Sequence, residues 1–440
     1  MEILKTILDF FSTQIFRQAP YFMGLVVLIG CIAMKKDAKG TLVSVIKAVV
    51  GMMILNVGSG QLKAASEAVI NIFTKALSIQ GVSTDMWTAV YAYIDELTLI
   101  GMGNVAMVMI VAWVVNIILA RITPIKTIFL TGHVAYCDSA FLTFFIYKVC
   151  GLTGVPLFVT SVLVCAVYWW LFPTLLRRFL TPLLGDTPLT LGHNLCISGI
   201  ITIQLSKLFK KLFKGNSKSA EELQLPGWLS IFKDSVVAYS IIMGLIYLII
   251  VIIAGPATVD EFAKGTNYII YGINQGLTMA VGVYVLLAGV RMFLGELIPA
   301  FRGFSDKLVP GAIAAVDSPV FWSYAPTAAL LGFLSTVIGQ FVGVGILALC
   351  GSTVIAIPSV IPLFFGGCTL GVFANSTGGW KGVVATTFIM GIVVICGSAG
   401  LSFVIGTNFV PGHSDWSTLW LAVFGALRLF FGFGRTSVAA

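Results

Sequence analysis

Charge is what this chain has least of. Only 10% of its 440 residues are Asp, Glu, Lys or Arg, against roughly 25% in an ordinary soluble domain. Its 26 basic and 18 acidic side chains are too few to coat a water-facing surface of this size, which excludes a soluble globular enzyme. Disorder is excluded too, because 58% of the residues are hydrophobic and disorder requires the reverse balance. Catalytic signatures are missing: there is no HExxH, GxSxG, P-loop or paired Cys/His cluster. The eight cysteines, Cys31, Cys137, Cys150, Cys165, Cys196, Cys350, Cys368 and Cys396, form no CxxC and all have apolar neighbours. Neither a disulfide framework nor a metal centre is expected from them. Residues 1–18 are amphipathic, interrupted by Glu2, Lys5, Asp9 and Arg17, so they do not have the form of a cleavable signal.

What is present is lipid-compatible length. A helix crossing the hydrocarbon core needs roughly 20 apolar residues. Leu97–Ala120, Val149–Leu176, Ser235–Val259 and Gly265–Val290 carry no charge, and Ser318–Trp380 contains no Asp, Glu, Lys, Arg or His at all. That last block is long enough for about three crossings. Lipid leaves no partner for free backbone groups, and no alternating strand pattern argues for a barrel, so the crossings are expected to be helices. The fold class is an all-α polytopic membrane protein.

The net charge of +8 sits in short clusters. Lys207, Lys210, Lys211, Lys214 and Lys218 lie together, with Lys233 further along; Lys35, Lys36 and Lys39 follow the first apolar block; Arg428 and Arg435 flank the last. Short basic segments of this kind face the cytoplasm, which places the N-terminus outside and makes the crossings odd in number. Nucleic acid is not implied. The Lys-rich segment can hold the chain's orientation, dock an acidic cytoplasmic partner, or do both.

The hydrophilic stretch 207–234 divides the chain into two near-equal parts, 1–206 and 235–440, and their punctuation matches. Gly58 precedes Asp85 by 27 residues, and Gly289 precedes Asp317 by 28. Each Asp is followed by an apolar run and then by Pro124 and Gly132, or by Pro358 and Gly366. Internal repeats with interrupted helices are a transporter signature. Gly58-Ser59-Gly60 and the Pro358, Pro362, Gly366, Gly367 series are the expected interruptions. Gly339xxxGly343 and Gly367xxxGly371 are expected to serve close packing inside one protomer rather than a dimer interface.

Ionisable groups within the membrane mark sites by default. Here they are Asp85, His133, Asp138, His193, Glu296 and Asp317. Asp85 reads equally as a helix N-cap and as a ligand group; Asp317, facing the charge-free block, reads as a site residue. His133 and His193 share a Gly-His context, and imidazole both donates and accepts, which suits a hydroxyl-rich ligand. His413, in Pro411-Gly412-His413-Ser414-Asp415-Trp416, reads as a loop histidine. An intramembrane hydrolase built from Ser, His and Asp has no motif to support it.

Several segments carry a family likeness: LNVGSGQL (55–62), ITPIKTIFLTGH (122–133), LPGWLSIFKD (225–234), VRMFLGEL (290–297), PGAIAAVDSPVFWSYAPTA (310–328) and IPLFFGGCTLGVFANSTGGW (361–380). Together they resemble the ascorbate-type enzyme IIC, the permease component of the phosphoenolpyruvate-dependent phosphotransferase system. The resemblance implies a homodimeric permease of the bacterial inner membrane with roughly eleven transmembrane helices. It also implies inverted repeats, broken helices and re-entrant segments. A V-motif-like scaffold domain and a core domain, each drawn from both halves, go with this. The core would carry ascorbate or a related sugar acid inward like an elevator, and a separate cytoplasmic EIIB, supplied by EIIA, would phosphorylate it. The chain itself would be no enzyme and would need no cofactor. An ion-coupled sugar-acid transporter independent of phosphotransfer is the alternative.

Carried over position by position, the resemblance implies substrate contacts at Gly58, Ser59, Met86, Trp87, His133, Cys137, Asp138, His193, Asn194 and Asp317. This chain departs from the family pattern in having Trp87 for a tyrosine. Cys137, Asp138 and Asn194 stand in place of glutamines.

Overall fold

The computed structural model describes residues 18–76, 81–103, 105–213, 215, 217–223, 235–307 and 309–431. The N-terminal amphipathic segment, Lys214, Lys233, Arg435 and the LPGWLSIFKD segment lie outside them. In chain order the helices are α1 (Ala19–Ala33), α2 (Ala38–Ala76), α3 (Met86–Leu99), α4 (Val105–Ile122), α5 (Gly132–Cys150), α6 (Gly154–Arg177) and α7 (Cys196–Leu212). After the Lys-rich segment come α8 (Ser235–Ala254), α9 (Pro256–Ala263), α10 (Tyr268–Lys307), α11 (Pro326–Leu349), α12 (Val360–Ile405) and α13 (Leu421–Phe431). Among the described residues, Ala38–Gly58, Gly154–Arg177, Tyr268–Phe301, Pro326–Leu349 and Pro362–Ile405 are long and apolar enough to cross a membrane. Pro20–Ala33, Met107–Ile122 and Trp416–Phe430 are shorter apolar helices.

The long helices α2 and α10, 39 and 40 residues, cross each other through glycines. A Cβ added at Gly58 would collide with the backbone of Leu286 and Gly282, and one added at Gly289 would collide with the backbone of Leu55 and Gly51. The contacts are reciprocal, each glycine meeting the residues three and seven positions before the other. Such approach is open only to a residue without a side chain. The Gly58-Ser59-Gly60 triplet therefore does not break its helix as expected: α2 is continuous through it, and Gly58 seats a neighbouring helix. Around this crossing pack α1, α8 and α9. Glu296 of α10 belongs here: it accepts from Ser44 Oγ at 2.5 Å and lies 3.8 Å from Lys47 Nζ.

Beside this layer stand α3–α7 and α11–α13. The Ser318–Trp380 block makes two helical passes rather than three: α11, and the first part of α12. The remainder holds the four-residue helix Pro319–Trp322 and, between α11 and α12, the two-residue strand Ala356–Ile357. Pro358 and Pro362 sit at the start of α12, where proline costs no helical hydrogen bond, and Gly366 and Gly367 lie inside it. The break in α12 is at Gly379, with φ 63° and ψ −171°. There the Ser217–Lys218 backbone is so close that a Cβ would strike it, and Trp380 N–H donates to Lys218 O at 2.9 Å. The small-residue spacings pack α11 on α12: Gly332 meets Gly367 and Gly371, and Gly339 meets the Phe388 backbone, as expected for packing within one chain.

Short parallel strands join the halves. β4 (Ile313–Val316) lies between β2 (Thr127–Phe129) and β3 (Leu189–Leu191); β1 (Val82–Ser83) pairs with β5 (Ala356–Ile357). Ser83 also bridges Phe409 in parallel. The first strand of each half thus pairs with strands of the other half. Extended backbone at this depth is tolerated because it is enclosed in protein rather than lipid: β2 and β3 are buried throughout.

Candidate functional site

The strand ends set the site. β4 runs into Asp317, and its last residue, Val316, accepts from Gly192 N–H at 2.7 Å. β1 leads into Asp85, and Thr84, just before it, accepts from Gly412 N–H at 3.1 Å. Each Gly-His pair is therefore docked, by the same backbone bond, onto the strand that carries the other half's aspartate. The glycines are required, since a Cβ at Gly192 would strike Ala315 and one at Gly412 would strike Thr84.

Around Asp317 the arrangement is tight. His133 Nε2 lies 3.4 Å from Asp317 Oδ2, and His193 Nε2 lies 4.0 Å from Oδ1. Oδ1 also accepts from Ser318 N–H at 2.7 Å. The Asp317 and His193 side chains are 8% and 2% exposed, while His133 keeps 23%; His133 is the member that reaches the opening. It occupies the second position of α5, whose N-cap residue Thr131 makes no side-chain capping bond. The first-turn N–H groups of α5 thus face the site with the partial positive charge of a helix start. Behind His193 stands His413, its ring edge-on with centroids 4.6 Å apart. The three histidines of the chain and Asp317 form one row.

Two buried aspartates hold the frame. Asp138 accepts from Trp169 Nε1 at 2.9 Å and from Asn194 Nδ2 at 2.7 Å, fixing the residue after His193. Asp415 accepts from the backbone N–H groups of Cys196, Ile197 and Ser198 at 2.8, 3.2 and 2.8 Å, and from the Tyr168 hydroxyl at 2.8 Å. It caps α7 from the other half of the chain, a role the sequence analysis did not assign.

The remaining expected site residues divide. Met86 is buried at the first position of α3. Asp85 caps that helix through Oδ1, accepting from Thr88 N–H at 2.8 Å, as its cap reading expects. Cys137 is fully buried in α5. Gly58 lies at the α2–α10 crossing, away from the histidine row. The side chains of Ser59 and Trp87 lie outside those described. His413 lies in a loop, as its sequence context predicts, but it is only 1% exposed, and its Gly-His pair, rather than that of His133, is docked on a strand end as Gly192-His193 is. A repeat search over the Gly-His pairs that included position 413 would have found it.

Leu130–His133, Val316 and Asp317 face Met23, Met52 and Phe293 across a narrow pocket. One wall is polar and built from strand ends; the other is apolar and built from α1, α2 and α10. Among the described residues, no group of three or more His, Cys, Asp or Glu is placed to hold a metal ion.

Interrupted elements from both halves, meeting at a buried polar centre inside a multi-pass helical membrane protein, are the construction of membrane transporters. Residues 14–415 match the family model EIIC-GAT, the sugar-specific permease component of the PTS system. The chain belongs to that family. It is also 31% identical over 432 residues to a protein of Mycoplasma pneumoniae (strain ATCC 29342 / M129 / Subtype 1) named the ascorbate-specific PTS system EIIC component. The alignment covers 86% of this chain and 64% of the relative. The chain therefore spans just under two thirds of that relative's length.

Proposed function

We propose that this permease component carries ascorbate or a related sugar acid inward, and that a separate cytoplasmic EIIB, charged by EIIA, phosphorylates it on arrival. The observation that carries the reading is the His133–Asp317–His193 group at the closed pocket between two helical layers. Asp317 accepts from a sugar hydroxyl. His133 and His193 donate to enolate or hydroxyl oxygens, and the α5 N-terminus adds N–H groups and a field that favours negative charge. Asn194, held by Asp138, offers the amide carbonyl.

The two halves, 1–206 and 235–440, are inverted repeats in this reading, supported by the reciprocal contacts of Gly58 and Gly289 and by the crossed strand pairing. Helices α1, α2 and α8–α10 form the scaffold, which also makes the homodimer. The remaining helices form the core, with the Lys-rich segment 207–234 on the cytoplasmic side. Because Met23, Met52 and Phe293 close the pocket with apolar side chains only, the core slides past them without breaking hydrogen bonds. An elevator movement needs such a wall.

Binding of L-ascorbate to the purified protein, with uptake into vesicles supplied with EIIB, EIIA and a phosphoryl donor, tests this. Uptake that requires the donor is expected. Uptake driven by an ion gradient without any donor would instead establish the ion-coupled alternative.

A further inference from the structure

Five buried polar atoms gather around the His193–His413 contact without a hydrogen-bonding partner: Thr131 Oγ1, His193 Nδ1, Asn194 Oδ1, and both ring nitrogens of His413. Buried polar atoms are paired in the great majority of cases, and one left unpaired loses the hydrogen bonds it had in water with nothing in return. So dense a group marks a place where a ligand supplies the missing bonds. Its chemistry is restrictive. Asn194 Oδ1 accepts only, neutral imidazole offers one donor and one acceptor, and the threonine hydroxyl does both. An anion, which only accepts, leaves Asn194 unsatisfied. Hydroxyl groups satisfy every member.

The geometry around Asp317 recurs around Asp85, with the two halves of the chain exchanged. Asp317 uses Oδ1 on the N–H of its own turn and turns Oδ2 to His133. Asp85 uses Oδ1 on Thr88 N–H and turns Oδ2 to Ser359 Oγ at 3.4 Å. Gly412-His413 is docked next to Asp85 as Gly192-His193 is docked next to Asp317.

We propose that Asp85, Ser359 and His413 form a second half-site for the same hydroxyl-rich ligand, so that a bound sugar bridges the two halves across the paired imidazoles. The inference rests on the sugar-acid reading above and deepens it. It makes His413 a binding residue and explains why a side chain with two unpaired nitrogens is kept in the interior.

The test measures affinity of the purified full chain for L-ascorbate, its C5 epimer isoascorbate, 6-deoxy-L-ascorbate and L-gulonate. His413→Phe keeps an aromatic ring beside His193 and removes both nitrogens. It is expected to lose at least tenfold in affinity for the tightest ligand and to narrow the difference between that ligand and its epimer or deoxy analogue. His413→Gln, which retains a donor and an acceptor, is expected to recover part of both. Affinity within twofold of wild type in His413→Phe, with discrimination intact, overturns the half-site. If His413→Phe does not purify as a folded protein, Ser359→Ala decides: a clear loss of affinity is expected, and unchanged affinity overturns the proposal. Wild-type protein that binds none of the four compounds overturns the sugar-acid reading itself, a result distinct from equal binding by wild type and variants.

Discussion

His133 Nε2 and Asp317 Oδ2 stand 3.4 Å apart, although one residue is in the first turn of α5 and the other follows β4 in the opposite half of the chain. The contact closes the pocket on its polar side. The other carboxylate oxygen, Oδ1, accepts from Ser318 N–H at 2.7 Å.

Asp317→Asn keeps shape and burial but removes the charge. A hydrogen bond to a charged group contributes about 1.5–3 kcal/mol, so sugar affinity is expected to fall by roughly one to two orders of magnitude. His193→Ala is expected to fall at least as far. The proposed homodimer should persist in both variants by size-exclusion chromatography. Wild-type affinity in both would remove the site assignment.

Asp138 anchors Trp169 and Asn194 through its two carboxylate oxygens. Replacing it with Ala strands Trp169 Nε1–H and the Asn194 amide in a buried setting. Thermal unfolding in detergent is expected to show a loss of about 2–5 kcal/mol, the range for breaking a buried polar network. Trp169→Phe, which removes one donor and no charge, should cost less.

Asp415 caps α7 with three backbone bonds. Loss of a helix cap costs about 0.5–2 kcal/mol, and Asp415→Ala adds an unpaired Tyr168 hydroxyl. The expected result is a lower melting temperature together with weaker sugar binding, because His193 and Asn194 immediately precede the uncapped helix. Asp415→Asn should retain part of both. Unchanged binding in a destabilised Asp415→Ala variant would separate the cap from the site.

Gly58→Val and Gly289→Val should fail alike, since each places a side chain against the backbone of the other's helix. Overpacking of this kind costs about 1–3 kcal/mol or more. Gly60, which has open space around it, should accept alanine with little change. Detergent melting curves of the three variants check the contrast; a tolerated Gly58→Val would refute the crossing.

Much of this protein was legible in one dimension. Scarce charge and long apolar runs gave a helical membrane protein. The motifs from LNVGSGQL to the GGW at 378–380 gave the family. The matched intervals run in each half from a glycine at the α2–α10 crossing to an aspartate just after a strand. Asp317, His133 and His193 were picked out because an ionisable side chain in an oily run is costly and needs a reason.

What the chain by itself determined, then, is composition, family and the polar residues that lipid would not tolerate idly. Tertiary structure alone decided which of them meet. His413 looked like a loop residue because its neighbours are proline, glycine and serine; it is buried because a parallel bridge to Ser83 folds that loop against Asp85. Gly58-Ser59-Gly60 looked like a break because glycine weakens an isolated helix. The helix runs through it because a second helix, more than two hundred positions away, packs where the side chain is missing. Pairings across that distance leave no local period or spacing, since each half's strands find their partners only in the other half.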